Sequence, residues 1–272
     1  MPELPEVETI RRKLRDGAPE SPSLVGKRIV RASLLWAGSL AEPDPDEFQY
    51  RIIGQTITDF GRRAKFLLIQ LSEDTLVVHL RMSGDLLVES EDDPVATHHR
   101  FLLHFEDGTR LAFNDTRKFG RIWLLADPAP LFKKLGPEPL DESLTPEDFY
   151  ARLEDRRRQI KPLLLDQSFI AGIGNIYADE ALHRARLHPL TLASSLTPEQ
   201  AATLLESIRQ VLQAGIEANG ASIDWVYRGG EFQNHFQVYQ RAGEPCYRCG
   251  TSIERIVVGQ RGTHFCPQCQ RP

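Results

Sequence analysis

Between Arg28 and Leu125 the chain is a succession of short β-rich runs: RIVRASLLW (28–36), TITDF (56–60), KFLLIQL (65–71), TLVVHLRM (75–82), GDLLVE (84–89), FLLHF (101–105), TRLAFND (109–115) and RIWLL (121–125). Asp107-Gly108 between two of these runs is a hairpin signal. Strands at this density, with no intervening helix expected, predict an antiparallel sandwich or barrel. Upstream, Val7, Ile10 and Leu14 recur at helical spacing, bases occupy the other sides, and Gly17 ends the segment. One amphipathic helix therefore leads an N-terminal β domain.

Downstream the pattern becomes helical. Gly136, Pro137 and Pro139 among acids read as a linker, after which Thr145 and Pro146 occupy N-cap and N1 of a helix expected to reach about Gln159. Thr197, Pro198 and Gln200 open a longer helix ending near Asn219-Gly220, with Ala201, Leu204, Leu205, Ile208, Leu212 and Ile216 on one face. The expected division is 1–133 for the β domain, 134–145 for the linker, 146–239 for a helical domain and 240–272 for a cysteine-bearing appendix. The fold class is thus mixed α+β and multidomain.

All four cysteines fall in that appendix. Cys246-x2-Cys249 and Cys266-x2-Cys269 have the spacing of a four-cysteine zinc site, with disulfides or redox thiols as the alternatives. Four sulfurs leave no open position for water, so the expected metal is one structural zinc. The segment IERIVVGQRGTHF between the pairs reads as a hairpin with Arg261 near its turn. A guanidinium there either grips phosphate or is a plain surface charge.

The 272 residues, 41% hydrophobic and 26% charged, exclude disorder, collagen and coiled coil as the main character. No apolar run approaches the roughly 18 residues of a membrane span, and acids stand at the N-terminus where a signal peptide carries bases. A cytoplasmic protein is expected. The net charge of −5 argues at first against nucleic acid. Three loop-like stretches, Glu42–Glu47, Glu89–Asp93 and Glu138–Asp148, hold thirteen acids and no base, and without them the chain carries +8. Arg62, Arg63 and Lys65 form one basic cluster; Arg110, Arg117, Lys118 and Arg121 form another.

Two further motifs carry chemistry. Gly172-Ile-Gly-Asn-Ile-Tyr177 lacks the final small residue and the preceding strand of a dinucleotide loop, so it reads as a turn between helices with Asn175 at a helix N-terminus, where orphan N–H groups bind anions. Pro2 would present a secondary amine if Met1 is removed, able to attack an electrophilic carbon and form an iminium. Glu3 beside it is placed to move protons, or simply to start a helix.

MPELPEVETIRR, RRAKFLL, HLRMSG, DTRKFGR, LGPEPL, IKPLLLDQ, GIGNIYADEAL and the cysteine quartet together resemble the bacterial formamidopyrimidine-DNA glycosylases, in the family's order and over nearly the whole chain. The resemblance implies an N-terminal β-sandwich with a leading helix, a helix-two-turn-helix domain and a zinc finger, with damaged double-stranded DNA bound in a cleft by a monomer. It implies a bifunctional enzyme, a glycosylase for oxidised purines (8-oxoguanine and formamidopyrimidines) and an abasic-site lyase by β,δ-elimination. Pro2 would be the nucleophile, Glu3 the acid/base, Lys65 the lysine that contacts phosphate and helps protonate the departing base, and Glu6 a supporting acid. Met82, Arg117 and Phe119 would fill the gap left by the extruded nucleotide, with Lys118 beside them, and Lys161, Asn175 and Arg261 would bind phosphates. Arg81 and Gln240 stand where glycine is usual, Thr116 where proline is, and Lys118 where a second arginine is. The 221–237 segment matches the lesion-capping loop only loosely. The alternatives are the related oxidised-pyrimidine glycosylase and a non-catalytic zinc-containing DNA-binding protein.

Overall fold

The computed structural model describes residues 1–19, 21–222 and 229–271. Helix α1 (Leu4–Asp16) starts at Glu3, whose amide donates to the Glu6 carboxylate at 2.8 Å; Val7, Ile10 and Leu14 are buried as their spacing predicts, and Gly17 at φ 82 stops the helix. All eight β-rich runs become strands. β1 (Ile29–Leu34) is followed by a short strand, β2 (Leu40–Glu42), and a helix, α2 (Pro45–Ile52). Then come β3 (Ile57–Arg63), β4 (Phe66–Leu71), β5 (Thr75–His79) and β6 (Gly84–Ser90). β7 (His99–Phe105), β8 (Thr109–Asp115), β9 (Arg121–Leu125) and the single-turn α3 (Ala129–Phe132) complete the unit.

The strands form a four-stranded sheet, β1-β7-β8-β6, and a five-stranded one, β2-β9-β5-β4-β3. Alternate side chains from both sheets, among them Phe60, Leu67, Val78, Phe101, Leu103, Leu111 and Phe113, share one core with α1. Each buried side chain of this size contributes about 1.5–3 kcal/mol. The sandwich is antiparallel except where β2 pairs parallel with β9.

Two details differ from expectation. Glu42–Glu47 is not a loop: Asp44 caps α2 by accepting the Asp46 and Glu47 amides, each at 3.0 Å, and the acids that read as solvated charge complement the helix N-terminus. Glu89 lies in β6 and ion-pairs at 2.8 Å with Arg110, a buried residue that therefore adds nothing to a basic surface.

The second unit is built on Lys134–Ala221 and Gly230–Pro272. Residues 134–145, expected as a linker, are docked along it: the Gly136 amide reaches the Gln167 carbonyl at 2.8 Å, and the Arg209 guanidinium donates to the carbonyls of Pro139, Asp141 and Leu144. Thr145 caps α4 (Pro146–Leu153), which ends six residues before Gln159. Residues 154–159 offer no apolar side chain to bury; Arg158 pairs instead with Asp166 at 2.7 Å, and its carbonyl accepts the Ala193 amide. α5 (Ile160–Leu164), α6 (Asn175–Arg184) and α7 (Pro198–Glu217) follow, α7 with the expected Thr197/Gln200 capping box and buried face. The ribbon hairpin is β10 (Glu254–Val258) and β11 (Arg261–Phe265), turning on Gly259 and Gln260, both at positive φ as a tight two-residue turn requires. Within 221–237, residues 223–228 lie outside the described residues. No described helix is long and apolar enough to cross a membrane.

Candidate functional site

At the head of α1, Pro2, Glu3 and Glu6 are buried, while Met1 is half-exposed. Glu6 is held by the Glu3 amide, so the two acids are fixed relative to one another. Lys65 occupies the two-residue turn of the β3–β4 hairpin, after Ala64 at φ 53, and is only 5% exposed. Arg62 ties this turn to the helix: its Nε is 3.3 Å from Glu8 Oε2, and its guanidinium donates to the Ala64 carbonyl at 3.0 Å. Glu8 also binds Arg11 and Arg12, and despite the cost of burial these cations hold its carboxyl below the usual range. Arg62, expected in a basic face, is therefore an internal brace.

Met82 is half-buried in the turn after β5, and Arg117, Lys118 and Phe119 are exposed in the β8–β9 loop. Asp115 and Ser83 bring the two segments together. The buried Asp115 carboxylate accepts the Ser83 hydroxyl, the Arg117 amide at 3.2 Å and the Gly120 amide at 2.7 Å; Ser83 Oγ also accepts from Arg117 N at 3.1 Å. The Arg117 guanidinium stacks 4.9 Å from the Phe119 ring centroid, and the Lys118 ammonium 4.2 Å from that of Trp36. Arg81, which stands where the resemblance expects glycine, has a left-handed backbone at φ 54, and its amide donates to His79 Nδ1 at 3.0 Å. Gln240 likewise stands at φ 59. A left-handed backbone at a residue other than glycine costs about 1–3 kcal/mol at each position.

In the second unit, Asn175 opens α6 and donates through Nδ2 to the Gly262 carbonyl at 3.0 Å, and Arg261 is exposed at the hairpin turn. Lys161 is placed otherwise than as an open phosphate contact. It is 0% exposed, and its ammonium meets Asp179 Oδ1 at 2.5 Å, Thr263 Oγ1 at 2.7 Å and the Gly262 carbonyl at 3.1 Å. Asp179 Oδ2 accepts the His264 amide at 2.9 Å, and Glu180 accepts the amides of Gln237, Val238 and Tyr239. Burial raises the Glu180 pKa above the ordinary carboxylate value, against the pull of those three donors. Two adjacent acids of α6 thus clamp the ribbon and the turn segment leading to it.

The four cysteine sulfurs lie within 4.8 Å of one another. A tetrahedral zinc with Zn–S bonds of about 2.3 Å needs sulfurs about 3.8 Å apart. Burial and the neighbouring Cys249 and Cys266 sulfurs push the Cys269 thiol up to about 12, the crowding that a divalent cation relieves by taking the place of protons. The donor set therefore fits one structural zinc. Behind it, burial with Arg248 and Arg241 nearby lowers the His183 pKa to about 4, leaving a neutral imidazole.

Glu8, His79, Ser83, Asp115, Asp179, Glu180 and His183 escaped sequence reasoning. One signal was available: Asp179 and Glu180 interrupt an apolar stretch, Ile176 to Leu182, in which charge requires a partner. The others depend on partners distant in sequence.

A sandwich led by a Pro-Glu helix, a helical unit whose glycine turn opens a helix at Asn175, and a four-cysteine ribbon define a zinc-bearing protein of the helix-two-turn-helix type. Family models agree: the formamidopyrimidine-DNA glycosylase N-terminal domain matches residues 1–122, the formamidopyrimidine-DNA glycosylase H2TH domain 135–226, and the zinc finger found in FPG and IleRS 243–272. The chain belongs to the formamidopyrimidine-DNA glycosylase family. It is 52% identical to the formamidopyrimidine-DNA glycosylase of Chloroflexus aurantiacus over 277 residues (99% of this chain, 98% of the relative) and 48% identical to that of Herpetosiphon aurantiacus over 279 residues (99% and 100%). Among solved structures, Lactococcus lactis Fpg in complex with DNA containing N7-benzyl-Fapy-dG superposes with a TM-score of 0.93 at 37% identity, covering 100% of both chains. The same protein with abasic-site DNA gives 0.93 at 36%, again covering 100% of both.

Proposed function

We propose that this chain excises oxidised purines, 8-oxoguanine and formamidopyrimidines, from duplex DNA and then cleaves the abasic strand. The observation that carries the reading is the burial of Pro2, Glu3, Glu6 and Lys65 in one sandwich unit, in a chain whose full-length relatives are named for this activity. With Met1 removed, the Pro2 nitrogen attacks C1′ as the damaged base departs, Lys65 helping to protonate the base and Glu3 moving protons at the sugar. An iminium remains. It acidifies the C2′ proton, whose loss expels the 3′ phosphate; a second elimination expels the 5′ phosphate. Met82, Arg117 and Phe119 occupy the space vacated by the extruded nucleotide, which offsets an unstacking cost of a few kcal/mol.

Asn175 and Arg261 contact phosphates, and Lys161 contributes by holding the hairpin between them. Zinc, when bound, joins the two cysteine turns. The enzyme acts as a monomer in the bacterial cytoplasm, a state that size-exclusion chromatography checks. The test of mechanism is borohydride reduction of a reaction on abasic duplex with Met1 removed, followed by peptide mass mapping. The adduct is expected on Pro2; an adduct on any other amine, or none, overturns the assignment. A solved complex of Lactococcus lactis Fpg contains an oxidised pyrimidine. Paired excision assays on purine and pyrimidine lesions therefore rank the substrates.

A further inference from the structure

The two ends of α6 face different chemistry. Asn175 opens the helix beside the hairpin, and His183, near its C-terminal end, faces the cysteine cluster. His183 is 2% exposed; its Nε2 lies 3.6 Å from Cys246 Sγ, within reach of an N–H···S hydrogen bond, and its Nδ1 is enclosed with no hydrogen-bond partner among the described residues. Among the described residues Nε2 is the ring nitrogen with an acceptor beside it, so the N–H that the ring can donate points at sulfur.

Four thiolates around a divalent cation leave a net charge of about −2 on the centre. Cys249 is exposed and can share that charge with water, whereas Cys246 at 2% and Cys266 at 0% exposure must find any donor within the protein; Cys266 Sγ accepts the Cys269 amide at 3.4 Å, and Cys246 Sγ has His183 beside it. Cys246 also begins the first cysteine turn, with its carbonyl accepting the Gly250 amide at 2.8 Å. We infer that His183 is a positioning residue for the metal centre: its Nε2–H donates to the Cys246 thiolate, draws charge from a ligand that water cannot reach, and ties the first cysteine turn to α6. This contact couples zinc retention to the helix that presents Asn175, beside the Asp179 and Glu180 clamps on the ribbon.

The test uses the full zinc-loaded chain and two variants. His183→Phe keeps an aromatic ring in place and removes the donor; His183→Gln removes the ring and returns an N–H of similar reach. Transfer of zinc to a chromophoric chelator measures retention, and the sulfur-to-metal charge-transfer band of the cobalt-substituted protein reports on the thiolates directly. The Phe variant is expected to hold zinc roughly tenfold or more weakly, the range over which outer hydrogen-bond partners act. Its cobalt band should move to longer wavelength, because a thiolate without its donor gives up an electron more easily. The Gln variant should stay close to the parent in both readouts. A Phe variant matching the parent, or a Gln variant falling with Phe, overturns the assignment: the first would leave the contact without effect, and the second would make it packing alone.

Discussion

The buried carboxylate of Asp115 accepts the Gly120 amide at 2.7 Å, closing the β8–β9 loop on itself while its other oxygen holds Ser83 and the Arg117 amide. The exposed Arg117 and Phe119 are therefore aimed by a residue that no substrate touches. Asp115→Ala should orphan the Gly120 amide and leave the Arg117 amide only its bond to Ser83 Oγ, at a cost of about 1–3 kcal/mol for the donor left buried, a rate effect of roughly ten- to hundredfold where loop geometry limits the step. Single-turnover assays should show base excision falling more than cleavage of a preformed abasic site. Equal loss in both would mean that the loop does not serve extrusion.

Lys161 and Arg261 lie near the same hairpin in opposite circumstances, one enclosed and one exposed. Arg261→Ala should reduce the slope of log affinity against log salt by about one phosphate contact. Lys161→Met should leave that slope unchanged while lowering stability by about 3–5 kcal/mol, because Asp179 is left as an uncompensated buried charge. Urea unfolding and binding titrations at several salt concentrations separate the two.

Acid should weaken the sandwich through His79. Burial first, then the charges of Arg81 and Lys65, lower its pKa from 6.5 to about 3. The imidazole is neutral when folded and takes up a proton on unfolding near pH 6.5. Its contribution is thus complete above pH 6.5 and drains as pH falls towards 3, by at most about 1.4 kcal/mol per pH unit. His79→Gln should flatten the melting-temperature profile between pH 7 and 5. A variant profile parallel to that of the parent would rule the histidine out as the source.

Glu180 accepts three consecutive backbone amides, Gln237 at 2.9 Å, Val238 at 3.0 Å and Tyr239 at 2.8 Å. Glu180→Ala should free the turn segment before the ribbon, at about 1–3 kcal/mol for each donor that stays buried. Limited proteolysis should then cut near residues 237–239 in zinc-loaded protein, a site the parent protects.

Much of the fold is legible locally. The β runs, the Thr145 and Thr197 caps and the Gly259-Gln260 turn each depend on residues a few positions apart, and the cysteine pairs depend on spacing alone. Helix α2 was equally legible from Asp44-Pro45, but its acids resemble a solvated loop once they are counted only as charge. The proposed catalytic corner was legible for a different reason: an N-terminal Pro-Glu pair has few chemical uses, and a family resemblance narrows them. Its braces were not. Arg62 reads as surface charge until Glu8 is placed opposite it by the packing of α1 on β3.

The amino-acid order by itself determined where strands and helices form, which four sulfurs meet and which amine stands first after methionine, because backbone preference and ligand spacing are short-range. Tertiary structure alone decided which charges face water. Lys161 and Arg110 look like DNA-facing bases in the chain, yet each is enclosed by an acid brought from 18 or 21 residues away. A buried charge is tolerated only where an opposite charge and hydrogen bonds converge on it, and that convergence exists only after the chain has folded.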